Sequence, residues 1–183
     1  PIFAELREFL PPFIEQVLAQ RPTPQPLPAP FPRANQEALA HALMTQVGFD
    51  FNHGRLDVSH HPFCGGDPDD TRITTRYDEA DFLSSLMAVL HETGHALYEQ
   101  GRPRAWRNLP VGASAGMAVH ESQSLLLEMQ VCRSREFLQF AAPIIRRHLG
   151  SGAGPDSVWQ ADNLYLGSTQ VKRGLIRVDA AND

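Results

Sequence analysis

Residues 82–101 read FLSSLMAVLHETGHALYEQG, and the rest of the chain is best understood outward from them. Leu83, Leu86, Met87, Leu90 and Leu97 recur at helical spacing and make one apolar stripe. That pattern predicts a helix over 78–99. Asp78 is its expected N-cap, Asp81 falls in the first turn, and Gly101 with Pro103 ends it. Inside the helix stands His91-Glu92-Thr93-Gly94-His95, an HExxH pattern. Two histidines at i and i+4 lie about 40° apart around a helix and one turn along it, so both imidazoles can reach one ion. They flank the apolar stripe beside the small residues Ser84 and Ala88, which leave room at the edge of a core. Glu92 points elsewhere on the helix, where a carboxylate can act as general base toward water activated by a metal. Gly94 costs about 1 kcal/mol relative to Ala in a helix interior, which suggests that another segment approaches closely there.

A catalytic zinc of this type needs a third protein ligand and an open position. The downstream candidate is Glu121, in the run His120-Glu121-Ser122-Gln123-Ser124 at the start of the next predicted helix, 117–140. The interval from His95 to Glu121 is long enough for one helix end, a loop and a return. Glu121, Leu125, Glu128 and Cys132 share a face of that helix, and Glu128 or His120 is placed to support the ligands from behind. The competing reading makes His120 and Glu121 ordinary first-turn residues favoured by the helix dipole. Cys132 is a weaker ligand candidate.

The flanking chain is consistent with a mainly α domain. Ile2, Leu6, Phe9, Phe13 and Val17 predict a helix over 2–20, with a kink or split at Pro11-Pro12. Prolines at every second position from Pro22 to Pro32 make 22–34 an extended connector, read as a strap laid over the surface rather than a proline-motif ligand. Residues 35–47 again look helical. The Gly-, Asp-, Pro- and His-rich segment 48–77 carries short β-prone pieces at 55–59 and 72–77, so a small sheet is expected there. A loop near Pro110–Gly116, a weaker helix near 156–166 and an apolar piece at 174–178 complete the reading.

Length, composition and charge narrow the function. A chain of 183 residues that is 42% hydrophobic and 20% charged can build one core, and one domain is expected over 1–183. The net charge of −5 and the lack of a basic stripe argue against nucleic acid. No apolar run approaches the length of a membrane span, and no secretory signal pattern opens the chain. Two cysteines, Cys64 and Cys132, are too few for a disulfide framework. They are expected as unpaired thiols in a cytoplasmic protein. The chain does not begin with Met, so the expectation is that it starts partway into a longer protein.

The motifs HETGHALYEQG (91–101), HESQSLL (120–126), HPF (61–63), DTRITTRY (70–77) and IRVDA (176–180), with GFDFNHGRLDVSHHPF (48–63), resemble the Taq-type metallocarboxypeptidases, also called thermostable carboxypeptidase 1. The resemblance covers nearly the whole chain. It implies a mainly α, gluzincin-type helical metallopeptidase core, akin to neurolysin and angiotensin-converting enzyme, with a small β-sheet beside the zinc helix. It also implies metal binding by His91, His95 and Glu121 and general-base catalysis by Glu92. The reaction implied is hydrolysis of C-terminal amino acids from peptides, with broad preference and poor action on proline. The cofactor would be Zn2+, with Co2+ often effective, and the assembly commonly a homodimer.

Such an exopeptidase must bind a free carboxylate, for which a bidentate arginine is suited. Arg72 and Arg177 match the family's motif arginines and are the candidates. The alternative for Arg72 is an ion pair with Asp70 or Asp78. His61 would order the site or contact substrate, or else anchor a loop as a buried residue. Two departures stand out. Position 181 is Ala where the family pattern has Asp, and the family carries further helical chain on both sides of this stretch. The rival expectation is therefore a truncated, weakly active or inactive member that binds metal as a structural or binding module. Tyr77, Tyr98 and Tyr165 offer no assignable oxyanion donor.

Overall fold

The structure, a computed structural model, describes residues 2–150 and 154–169. Among these it contains six α-helices and a three-stranded sheet. Helix α1 (Ile2–Gln20) is followed by the connector and α2 (Arg33–Gln46). Strands β1 (Gly54–Val58), β2 (Phe63–Asp67) and β3 (Asp70–Thr75) lead into α3 (Phe82–Gln100). Then come α4 (Met117–Leu125), a π-helical segment (Leu126–Cys132), α5 (Arg135–Leu149) and α6 (Ala161–Ser168). The mainly helical class and the small sheet beside the HExxH helix are as expected. The apolar piece at 174–178 lies outside the described residues.

α3 begins at Phe82 rather than near Asp78. The Asp78 carbonyl accepts from Gln36 Nε2 at 2.9 Å, and its carboxylate caps a local turn through Ala80 N at 2.8 Å. Asp78 is thus committed before a helix can use it, and Asp81 takes the cap by accepting from Ser84 N at 3.1 Å. The helix expected over 117–140 is also broken. After α4 the chain widens into the π-helical turn, bends at Arg133, and restarts at Ser134, whose hydroxyl accepts from Phe137 N at 3.1 Å. Apolar spacing runs through the break, so periodicity alone does not reveal it. The split expected at Pro11-Pro12 does not occur: α1 is continuous.

The sheet order is β1-β3-β2, with β1 parallel and β2 antiparallel to the central β3. Leu56 and Cys64 both pair with Ile73. β2 is unforeseen, because Phe63-Cys64-Gly65-Gly66-Asp67 lacks alternation and its glycines count against a strand. Gly66 is required where it stands: its φ is +110°, and a Cβ there would run into the Asp70 carbonyl. Along β3, Thr71, Ile73 and Thr75 are buried and Arg72 is exposed, the alternation of a strand packed on one face.

α3 is held between two apolar clusters. On one side Leu83, Leu86, Met87 and Leu90 join Leu39, Leu43, Leu138, Ile145 and Leu164 from the other helices. On the other, Val89 and Ala96 meet Ile73 of β3 together with Ala40, Met44 and Phe49. The proline-rich connector is more than a surface strap. Phe31 near its end is 2% exposed and packs edge-on against Phe82 at 4.8 Å and Trp159 at 6.4 Å. Gln25 N also donates to Asn163 Oδ1 at 2.7 Å. No helix of the described residues is long and apolar enough to cross a membrane.

Phe31 therefore closes the helical core from the connector. Phe31→Ala is expected to destabilise the fold by about 3 kcal/mol or more, read as a lower midpoint in urea unfolding with little change in slope.

Candidate metal centre

The site grows from the packing of α3 against α4. A Cβ on Gly94 would stand 2.6 Å from Ser124 Cα and 2.7 Å from Gln123 O, so only glycine lets the α4 backbone come this close. That approach brings Glu121, one turn earlier on α4, over the two histidines of α3. Glu121 Oε1 lies 3.6 Å from His91 Nε2, and Oε2 lies 3.2 Å from His95 Nε2. The three ligand atoms fall within 4.8 Å of one another. For an ion with bonds of about 2.0–2.1 Å, tetrahedral ligands stand roughly 3.3 Å apart. Two imidazole nitrogens and one carboxylate oxygen at these separations fit a divalent metal with an open coordination position.

Each histidine is backed by a chain of hydrogen bonds. His91 Nδ1 lies 3.0 Å from Glu128 Oε2, and the other carboxylate oxygen accepts from Arg133 Nη2 at 2.5 Å. A carboxylate only accepts, so a neutral His91 satisfies this contact with its proton on Nδ1 and its Nε2 free toward Glu121. Behind His95, His120 Nδ1 is 2.6 Å from His95 Nδ1, and His120 Nε2 is 2.8 Å from Glu99 Oε1. Glu99 Oε2 accepts from Arg102 Nη1 at 2.6 Å, and Arg102 Nε donates to Gly112 O at 2.8 Å. The Tyr98 ring meets the His120 ring edge-on at 5.0 Å, and the Tyr98 hydroxyl accepts from Ala115 N at 2.9 Å.

The electrostatics follow from these contacts. The hydrogen bond to Glu128 holds His91 above the usual imidazole range. Burial, with His120 and His91 as neighbours, pushes His95 below it. Burial also raises Glu92; His91 opposes this and Glu121 adds to it. Burial disfavours the charge on Glu128, but hydrogen bonds from His91 and Arg133 outweigh it and hold that carboxyl low. Glu92 is 9% exposed and lies within electrostatic reach of both His91 and Glu121. It is a buried carboxyl with a raised pKa at the edge of a metal-ligand cluster, the environment suited to proton transfer.

The structure thus brings together His91, Glu92, His95 and Glu121, and it gives both Glu128 and His120 supporting contacts. It does not gather the other candidates there. Arg72 is exposed on the face of β3 opposite Ile73 and pairs with Asp70 at 2.7 Å, the ion pair anticipated as its alternative role. His61 lies exposed in the turn between β1 and β2, where its carbonyl accepts from Thr74 Oγ1 at 3.0 Å, so it is not a buried anchor. Arg177 lies outside the described residues. Glu99, Arg102 and Arg133 were missed by sequence reading. Glu99 had a signal, standing one turn beyond His95 on the same helix; the two arginines had none. Both cysteines are free, Cys132 buried and Cys64 half-buried beside Glu92 and Glu99.

The comparisons with known proteins agree with this geometry. Residues 1–182 match the family described as carboxypeptidase Taq (M32) metallopeptidase. Carboxypeptidase 1 of Bacillus subtilis is 37% identical, and thermostable carboxypeptidase 1 of Thermus thermophilus is 39% identical, each over 98% of this chain. The chain spans 36% and 35% of their respective lengths, about a third of each relative. Among solved structures, Trypanosoma cruzi metallocarboxypeptidase 1 superposes with a TM-score of 0.84 at 42% identity, covering 98% of this chain and 37% of that one. The M32 carboxypeptidase of Deinococcus radiodurans R1 superposes with a TM-score of 0.83 at 38% identity, covering 97% and 36%. A mainly helical metallopeptidase core is the class that fold and site define. The chain belongs to the M32 metallocarboxypeptidase family.

The two thiols offer a check on the packing around the site. Burial pushes both Cys64 and Cys132 up to about 12. At pH 8 the folded protein is expected to react with iodoacetamide on the order of a thousandfold more slowly than the same protein in urea, as read by mass spectrometry of the labelled peptides.

Proposed function

We propose that these 183 residues act as one catalytic region of a zinc-dependent metallocarboxypeptidase that removes C-terminal amino acids from peptides with broad preference. The observation that carries the reading is the convergence of His91, His95 and Glu121 within 4.8 Å, with the buried Glu92 beside them. His91 and His95 would hold the ion through Nε2 and Glu121 through its carboxylate. Zn2+ is the favoured occupant and Co2+ a competent substitute, given two imidazoles and a carboxylate. When bound, the ion supplies Lewis acidity to the scissile carbonyl and acidifies the attacking water.

The chain's own residues supply the rest. The Glu92 carboxylate takes a proton from the attacking water and passes it to the leaving amine nitrogen. Burial raises its pKa, which makes it a better proton acceptor than an exposed carboxylate. Glu128 and Arg133 keep His91 turned toward the ion. For the substrate's free carboxylate, Arg177 is the favoured partner, because Arg72 is engaged by Asp70 on the far face of the sheet. His61, exposed beside the sheet, is assigned to peptide contact. A cytoplasmic homodimer is the setting proposed for this activity.

A second reading is a metal-binding module without turnover. An assay separates the two. The metal-loaded protein is expected to cleave an N-blocked dipeptide and to leave its C-terminal amide intact. Glu92→Gln should lower kcat by about 10²–10⁴-fold with metal content unchanged. Bound metal without turnover selects the module reading, and equal cleavage of acid and amide removes the carboxylate specificity.

A further inference from the structure

The contact between His95 and His120 is ambiguous by itself. Their Nδ1 atoms lie 2.6 Å apart, and in a pair of neutral imidazoles either can donate. The direction matters. If His120 donated, His95 would keep its own proton on Nε2, the atom 3.2 Å from Glu121 that must be bare to hold an ion.

We infer that Glu99 decides this direction from two residues away, and that it is a positioning residue for the metal acting through His120. Glu99 presents only acceptors, so the 2.8 Å contact at His120 Nε2 needs a proton on that nitrogen. His120 Nδ1 is then a lone pair. It accepts the proton of His95 Nδ1, and His95 Nε2 is left free. Arg102 orients Glu99 through the 2.6 Å bond to Oε2, and is itself tied to Gly112 O in the loop that leads toward α4. The sequence of donations runs His95 to His120 to Glu99, with Arg102 donating from the far side. His91 reaches the same state in one step through Glu128. The two ligands are thus set by two separate carboxylate–arginine pairs, and both bare Nε2 atoms face Glu121.

His120 and Glu99 are well placed for such a role. The side chains of His120, Glu99 and Arg102 are 14%, 11% and 17% exposed, so water competes poorly for these bonds. His120 is also confined by the Tyr98 ring, which limits rotation out of line.

The inference rests on His91, His95 and Glu121 being the metal ligands, and the test keeps the two ideas apart. Imidazole 15N spectra of the metal-free protein report each tautomer directly and need no variant. His120 is expected with its proton on Nε2 and its Nδ1 accepting from His95; a proton on His120 Nδ1 overturns the proposal. Co2+ affinity is then measured by chelator competition for the intact chain, for Glu99→Gln, and for His120→Phe, which keeps a ring against Tyr98 but cannot accept from His95. Both variants are expected to lose roughly 10- to 100-fold in affinity and to alter the Co2+ visible absorption. Unchanged affinity and spectrum in the variants, with tight binding by the parent chain, overturn the role of Glu99 and leave the ligand assignment standing. Failure of the parent chain to bind Co2+ overturns the ligand assignment and the proposal with it. Should Glu99→Gln not fold, the 15N spectra and His120→Phe still decide.

Discussion

The close contact between α3 and α4 at Gly94 is the constraint on which the site depends. A helix normally keeps its neighbour at a distance set by side chains. Here the missing side chain lets the α4 backbone at Gln123 and Ser124 come against α3 itself. The helical cost of glycine, about 1 kcal/mol, is offset by what the approach achieves. It carries Glu121 across to two histidines that already share a helix flank. Any side chain at position 94 would push α4 away, and the carboxylate with it. His91 and His95 would remain neighbours by helical geometry alone, but they would be two ligands without a third.

α3 can serve as a platform because it is packed from both sides. Leu83, Leu86, Met87 and Leu90 bury one face among the helices, while Val89 and Ala96 bury another against Ile73 of the sheet. The candidate metal ligands His91, His95 and Glu121 occupy the remaining flank, at the boundary between these clusters and solvent. That position explains the unequal burial of the site. His95 and Glu92 sit toward the packed interior, and Glu121 stays partly open to solvent. It also explains the raised pKa of Glu92, which is desolvated first by burial and only then modified by its neighbours.

Much of the architecture was legible because it follows local rules. The stripe of α3, the HExxH spacing, the Gly101 terminus and the close approach at Gly94 were each readable from residue type and position. The errors came where a residue had two possible partners. Asp78 and Asp81 are both competent caps, and the choice fell to Asp81 because Gln36, from a distant helix, occupies the Asp78 carbonyl. The break at Ser134 hid behind an apolar pattern that ran through it. β2 escaped notice because its glycines answer to a turn at Gly66 and not to strand propensity. Phe31 looked like part of a surface strap, since nothing in a proline run announces that one side chain will reach Phe82 and Trp159.

The sequence by itself determined the donor set. Two histidines one helical turn apart with a glutamate beside the first are matters of residue type and period, which 3.6-residue geometry converts directly into placement, whereas Glu121 was a candidate by residue type and needed the approach of α4 at Gly94 to reach them. Tertiary structure decided what stands behind those donors. His120 on α4 and Glu128 on the π-helical turn reach the histidines of α3 only because the chain returns to the same flank, and Arg133 and Arg102 then back Glu128 and Glu99. Tertiary structure also separated Arg72 from the cluster, placing it on the opposite face of its strand in the grip of Asp70. The physical reason is range. Helical period acts over a few residues and survives in one dimension, whereas a hydrogen-bond partner many residues away is chosen by packing that no local pattern encodes.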